Sequence, residues 1–189
     1  MSPNTRELII DAALELFHSR GYTATGVLDI TKAAGVPKGS FYHFFASKEA
    51  LAEATVQRYA RGTHVELLAT TEQSPLRRIH NHIDGIIDTA EQDGFGRGCL
   101  LGNFSTEMPS QSELVSSVVA ESIGEWVTQL AAAITSAREA GEITTNSDPL
   151  RLANHIVASI EGSLAQAKVT RSRLPLDQCA TTIFTDLLN

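Results

Sequence analysis

The sequence of 189 residues predicts an all-α fold. Apolar residues recur at spacings of three and four along almost the whole chain, which is the period of amphipathic helices. No stretch alternates apolar and polar residues between hairpin turns, as a half-buried strand does. Glycines and prolines punctuate the pattern, with several prolines placed where the first turn of a helix tolerates them.

Four helices are expected in the N-terminal part. The first ends at Gly21, because glycine readily adopts the left-handed conformation found after a helix C-terminus. The second and third are short, cover about residues 27–34 and 38–45, and are separated by a turn at Gly35. Ser47 is a suitable N-cap for a longer fourth helix.

Five further helices are expected at about residues 75–91, 99–108, 111–140, 148–170 and 175–188. A glycine-rich segment, residues 92–98, separates the first two of them. It does not match a nucleotide-binding fingerprint, since no strand precedes it and the glycine spacing differs.

The charge of the chain is distributed unevenly. The net charge is −7, yet residues 1–50 contain five basic and five acidic side chains and are neutral overall. The remaining residues carry the whole negative charge and would repel phosphates, so any DNA contact is expected in the N-terminal part. An asymmetry of this size also arises by chance and is not sufficient alone.

Several classes of protein are excluded by what the sequence lacks. It has no apolar stretch near the roughly 20 residues of a membrane span and no signal peptide at its start. Two cysteines, Cys99 and Cys179, suit reduced thiols in the cytoplasm better than a disulfide framework. Metalloprotease, hydrolase and nucleotide-binding motifs are missing, so no enzyme and no cofactor is expected. His80 and His82 diverge on a helix, so no metal site is expected.

The two short helices around Gly35 are typical of a helix-turn-helix, whose second helix enters the major groove of DNA. Lys38 and Ser40 lie at the N-terminal end of that helix, where side chains reach base edges. Gly39 permits a close approach of the backbone to DNA. Donors suited to phosphate oxygens follow on Tyr42, His43 and Lys48. We expect the small core of this domain to include Phe41, Phe44 and Phe45.

A wider pattern between Ile9 and Leu51 comprises Ala13, Phe17, Gly21, Ile30, Ala34, Gly35, Val36, Gly39, Ser40, Tyr42, Phe45, Ser47, Lys48 and Glu49. It resembles the DNA-binding domain of the TetR family of bacterial repressors. The resemblance implies an N-terminal three-helix DNA-binding domain over residues 1–50. It also implies a helical ligand-binding and dimerisation domain over residues 51–189. The family usually has Ser or Thr just before the second helix to contact a phosphate. Gly26 stands there, so Thr25 or backbone amides are expected to serve.

The segments 98–107 and 161–171 resemble a TetR subgroup that contains electrophile-responsive and acrylate-responsive repressors. This resemblance implies that Cys99 senses reactive chlorine species and carbonyl electrophiles. A thiolate there would be favoured by the helix N-terminus and by Arg97. The alternatives are that Cys99 packs as a small apolar residue, or lines a pocket for a noncovalent ligand. The expected pocket residues are Cys99, Asn103, Phe104, Met108, Trp126 and His155. Cys179 is expected to pack.

The resemblance also implies a homodimer formed by the last two helices. The expected interface residues are Leu152, Ile156, Ile160, Ser163, Leu164, Ala167, Ile183, Phe184 and Leu187. A twofold dimer reads a palindromic operator, which a single helix is too short to specify. Part of each apolar stripe can instead face the core of its own chain.

These observations predict a TetR-like repressor that a small-molecule inducer releases from operator DNA. Covalent modification or oxidation of Cys99 is the alternative trigger. An all-helical interaction adaptor without DNA binding is the alternative class, but it leaves Lys38, Tyr42 and Lys48 unexplained.

Overall fold

The structure, a computed structural model, describes residues 5–189 and contains no strand in that range. The all-α prediction is confirmed, and each expected helix is present with its ends shifted by a few residues. The helices are α1 (Thr5–Arg20), α2 (Val27–Ala33), α3 (Lys38–Phe44), α4 (Lys48–Ala60), α5 (Pro75–Gln92), α6 (Leu100–Glu107), α7 (Glu113–Glu139), α8 (Pro149–Thr170) and α9 (Leu174–Thr182).

Three shorter turns complete the described chain. Val65–Ala69 and Met108–Ser110 form 3-10 turns, and the expected last helix ends in a π-helical turn, Ile183–Leu187. Over residues 5–189, no helix combines the length and the apolar character that a membrane span requires.

The chain forms two compact units whose boundaries differ from the expected division after residue 50. The N-terminal unit contains the described residues up to Ala60 together with Leu100–Ser122, and the C-terminal unit contains Arg61–Cys99 and Ile123–Asn189. Two features of the chain explain the difference. Helix α4 continues without a break to Ala60, and α6 packs with the N-terminal helices.

The N-terminal unit is built on α1, which contacts α2, α3, α4 and α6. Its apolar stripe is buried, and Ile9 and Phe17 are fully inaccessible. Burying side chains of this size contributes roughly 1.5–3 kcal/mol each. Helix α1 ends as expected at Gly21, whose φ of +87° is the left-handed conformation that glycine tolerates.

The C-terminal unit contains α5, α8, α9 and most of α7. Its core includes Ile79, Leu130, Ile134 and Ile156, each fully buried. Helices α5 and α8 begin in the same way, with a proline in the first turn and an N-cap side chain that accepts a hydrogen bond. Ser74 accepts from Arg77 N at the start of α5, and Asp148 accepts from Arg151 N at the start of α8.

Candidate DNA-binding surface and sensor site

Helix α3 presents a polar outer face on an aromatic base. Lys38, Tyr42 and His43 are exposed, with 61% of Tyr42 accessible. Phe41 and Phe45 are buried beneath them at 0% and 4% exposure. Phe44, expected in the core, is half-buried. The buried rings fix the helix, and its outward side chains are left for a partner.

Gly39 lies on the same face, and Ser40 is half-buried next to it. A Cβ added at Gly39 would meet nothing within 4 Å. The packing of residues 5–189 therefore does not require glycine at this position. A close approach by another molecule would require it.

The structure corrects the expected role of Thr25. Its side chain is 1% exposed, and its hydroxyl donates to the Gly21 carbonyl at 2.8 Å. The neighbouring amide, Gly26 N, donates to Asp29 Oδ2 at 3.0 Å within the first turn of α2. Both donors are therefore used within the loop between α1 and α2, and the other backbone amides at the start of α2 stay the expected phosphate contact.

Lys48 is turned onto that loop. Its Nζ donates to the Tyr22 carbonyl at 2.6 Å and lies 3.9 Å from the centroid of the Tyr22 ring. Burial lowers the pKa of Lys48, while the nearby Glu107 carboxylate acts in the opposite direction. The ammonium thus has a structural role that the sequence did not indicate.

Glu107, the last residue of α6, holds the other side of the loop. Its carboxylate accepts from Tyr22 N at 2.9 Å and from Thr23 N at 2.7 Å. Partial burial raises the pKa of Glu107, but the hydrogen bonds from Thr23 and Tyr22 and the charge of Lys48 outweigh it and hold this pKa below its ordinary value. Sequence reasoning missed this residue, since its partners lie far away in the chain.

Two of the expected pocket residues lie in the core of the N-terminal unit. Phe104 is fully buried, with its ring centroid 5.9 Å from that of Phe17 and 6.2 Å from that of Tyr22. Met108 is also fully buried in this unit. Phe104 thus packs α6 against the N-terminal helices, and Met108 lies in the 3-10 turn that follows α6. Asn103 is half-buried on α6.

Cys99 is the final residue of the first segment of the C-terminal unit, directly before α6. It is 6% exposed, as the packing alternative expects. Its thiol is hydrogen-bonded to the side chain of Glu161 on α8. Arg97, which was expected to favour the thiolate of Cys99, forms an ion pair with Asp93, whose Oδ1 lies 3.6 Å from Arg97 Nε.

Glu161 is an unusual neighbour for a thiol. Burial raises its pKa, and the hydrogen bond from Cys99 acts in the opposite direction. Its Oε1 is buried and has no hydrogen-bond partner within residues 5–189. This carboxyl group therefore combines poor solvation with direct contact to a nucleophilic side chain.

Trp126, another expected pocket residue, is 4% exposed and donates its indole N–H to His82 Nε2 at 2.8 Å. Because an indole only donates, Nε2 accepts and the proton lies on Nδ1, which donates to the His64 carbonyl at 2.9 Å. Burial lowers the pKa of His82 to about 4. The pair is a satisfied, neutral element of the core.

His155 does not join these residues. It is exposed on α8, where it lines an open groove of about 270 Å³ between α8 and α9 with Ser159, Ser163 and the half-buried Cys179.

Most residues of the expected dimer face are covered by their own chain. Six of its residues are buried in their own unit, each at 6% exposure or less: Leu152, Ile156, Ile160, Leu164, Ala167 and Ile183. Ser163, Phe184 and Leu187 are partly exposed, and Phe184 stacks on His80 with ring centroids 3.5 Å apart. The main apolar stripe of α8 faces inward, and the small polar residues Ser159 and Ser163 lie partly exposed beside it.

Two family models match the chain. Residues 9–55 match the model described as bacterial regulatory proteins of the tetR family, and residues 75–183 match the tetracyclin repressor-like C-terminal domain.

Curated relatives span nearly the same length. The repressor DhaR of Mycobacterium sp. (strain GP1) is 36% identical over 97% of this chain and 92% of its own. The repressor NemR of Escherichia coli (strain K12) is 33% identical, over 92% and 89% respectively. Among solved structures, the reduced form of E. coli NemR aligns with a TM-score of 0.87 at 32% identity, over 95% of this chain and 94% of that one.

Proposed function

The chain belongs to the TetR family of bacterial transcriptional regulators and is not an enzyme, and on that premise we propose how it binds and leaves DNA. The outer face of α3 enters the major groove of a palindromic operator. Lys38 and Ser40 read base edges there, Gly39 permits close approach, and Tyr42 and His43 donate to phosphates. The observation that carries this assignment is the exposure of Tyr42 above buried Phe41.

The experiment is operator binding after replacing Tyr42. The Tyr42→Ala variant should bind the DNA upstream of its own gene at least 10-fold more weakly than wild type in a gel shift, because each subunit then has one phosphate donor fewer. Leu114→Ala, which alters an exposed apolar residue in the first turn of α7, is the control and should bind normally. Normal binding by a folded Tyr42→Ala protein would favour the adaptor class instead.

A second proposal concerns release from DNA. We propose that covalent modification or oxidation of Cys99 is the trigger, in preference to a noncovalent inducer. The support is the contact between its thiol and Glu161, and its peptide bond to Leu100, the first residue of α6. Through Glu107, α6 holds the Tyr22–Thr23 loop of the DNA-binding helices. The relative NemR has a solved structure of its reduced form.

Gel shifts with wild type and Cys99→Ser test this trigger. Each protein is treated with N-ethylmaleimide or hypochlorite and compared with its untreated form. Release of wild type but not of Cys99→Ser is expected. Equal responses, or none, would leave Cys99 as a packing residue and return the question to noncovalent ligands.

The protein is further proposed to act as a cytoplasmic homodimer, paired through the outer faces of α8 and α9. The small, polar stripe of Ser159, Ser163 and Thr182 permits close approach of a second copy. Sedimentation of wild type should give twice the mass of one chain, and Ser163→Arg should give monomers. A monomeric wild type that still binds operator would contradict this arrangement.

A further inference from the structure

We infer that Glu161 is the base that takes the Sγ proton of Cys99 when this thiol attacks an electrophile. The inference rests on the proposed role of Cys99 as the reactive group. It adds the residue that makes a buried thiol reactive, since the attacking species is the thiolate and burial in apolar surroundings disfavours it.

The position of Glu161 has no structural explanation within residues 5–189. It lies on α8 between the buried residues Ile160 and Leu164, where a carboxylate is costly to desolvate. Its Oε1 is buried and receives no hydrogen bond from the described residues, unlike the two carboxylate oxygens of Glu107. The hydrogen bond that its side chain does make is with the thiol of Cys99. A carboxyl group kept here for stability would be expected to have both oxygens satisfied.

Proton transfer is easiest when donor and acceptor have similar pKa values. A free thiol has a pKa near 8.5 and an ordinary glutamate a pKa near 4.3. Burial raises the pKa of Glu161 and so narrows that difference. Through this hydrogen bond the Glu161 carboxylate already contacts the Sγ proton of Cys99, which has to leave when the thiol reacts. Such contact is the geometric requirement for a general base.

The chemistry balances for an α,β-unsaturated carbonyl compound such as a maleimide. The Glu161 carboxylate takes the Sγ proton while the sulfur electron pair forms a bond to the β-carbon. The π electrons of the C=C bond move to the carbonyl oxygen, giving an enolate. The protonated Glu161 then returns its proton to the α-carbon, so the carboxylate is regenerated and nothing is oxidised or reduced. The product is a thioether, which no longer carries the hydrogen that bonded Cys99 to Glu161.

The test measures the rate at which N-ethylmaleimide alkylates Cys99 in the full-length protein, followed by mass spectrometry of the peptide that contains it. Glu161→Gln should react at least 10-fold more slowly than wild type, in line with the roughly 10²–10⁴-fold contribution of general acid–base catalysis. Glu161→Asp keeps the carboxyl group and should recover part of the rate. Glu139→Gln, an exposed acid at the end of α7, is the matched control and should react like wild type. Circular dichroism checks that each variant is folded.

A solvent deuterium isotope effect separates a base from a residue that only positions the thiol. Wild type should react more slowly in D₂O, because the Sγ proton moves during the attack, and Glu161→Gln should lose this dependence. If wild type and Glu161→Gln are alkylated at equal rates, Glu161 is not the base and the proposal for Cys99 stands. If wild type is not alkylated at Cys99 at all, the sensor proposal fails and this inference fails with it.

Discussion

Two glutamates, one in each compact unit, show how differently a fold can treat a carboxyl group. Glu107 in the N-terminal unit accepts hydrogen bonds from two backbone amides, and its pKa lies below the ordinary value. Glu161 in the C-terminal unit has a buried oxygen without a hydrogen-bond partner in residues 5–189, and burial raises its pKa. The ionised form of Glu107 is stabilised by hydrogen bonds, whereas the ionised form of Glu161 is destabilised by the loss of solvation.

This difference suits Glu107 to a structural role and Glu161 to a chemical one. Satisfied hydrogen bonds stabilise a conformation, so Glu107 serves to fix the loop that precedes the DNA-binding helices. A poorly solvated acid in contact with a thiol stabilises little, and such perturbed groups are concentrated at functional sites. Substitutions in the two regions should therefore have opposite signatures.

The largest expected effect distinguishes the two glutamates by stability. Glu107→Ala removes the acceptor of Tyr22 N and Thr23 N and should lower the free energy of unfolding by about 2–3 kcal/mol. Glu161→Gln replaces a half-buried acid with a neutral amide of similar size and should change this free energy by less than about 0.5 kcal/mol. Urea unfolding at pH 7.5 measures both. Equal destabilisation by the two substitutions would remove the contrast between them.

His82 sharpens the comparison, because it is a buried polar group of the C-terminal unit that is fully satisfied. Its pKa is about 4 in the folded chain, against 6.5 ordinarily. Between pH 6.5 and about 4, His82 is protonated in the unfolded chain but not in the folded chain. The free energy of unfolding therefore falls as the pH drops through this range. From pH 7.5 to 5.0 the loss from His82 should be about 2 kcal/mol.

Urea unfolding at the two pH values checks this expectation. His82→Gln should show a smaller loss of stability than wild type by about that amount. His155→Gln, which alters an exposed histidine, should keep the wild-type dependence. An unchanged pH dependence in His82→Gln would mean that other groups account for the loss.

The smallest expected effect separates two lysines of the N-terminal unit. Lys38→Gln removes a positive charge that the proposed complex places in the major groove of DNA, and it should reduce the slope of log affinity against log salt by up to about 0.9 per subunit. Lys48→Gln should leave that slope unchanged and lower the free energy of unfolding by about 1 kcal/mol, because Lys48 Nζ is bound to the Tyr22 carbonyl. Fluorescence anisotropy with labelled operator gives the slopes. A reduced slope for Lys48→Gln would restore this residue to the set that binds phosphates.

The sequence predicted the features that depend on neighbouring residues. The helices, the left-handed Gly21 and the exposed face of α3 follow from periodicity, turn chemistry and a local motif, and all are present. The family assignment followed from the same local pattern and is confirmed by the family models.

The contacts between distant parts of the chain could not be predicted. The pairs Glu107 with Tyr22, Cys99 with Glu161, and His82 with Trp126 join separate segments, and periodicity does not determine which polar groups meet. Six residues of the expected dimer face are buried within their own chain for a related reason. An apolar stripe shows that a helix face is buried, but not whether its own chain or a second one covers it.

Gly21 has a consequence for how relatives of this chain can diverge. A Cβ at this position would lie 3.1 Å from Glu107 Oε2, in a backbone conformation that already disfavours other residues. The two positions fall in segments that match separate family models, yet they share one small space. We expect them to vary together among homologues, so that a larger residue at position 21 accompanies a shorter one at position 107. Exchanging sensing domains between family members should succeed most often when this pair is exchanged as a unit.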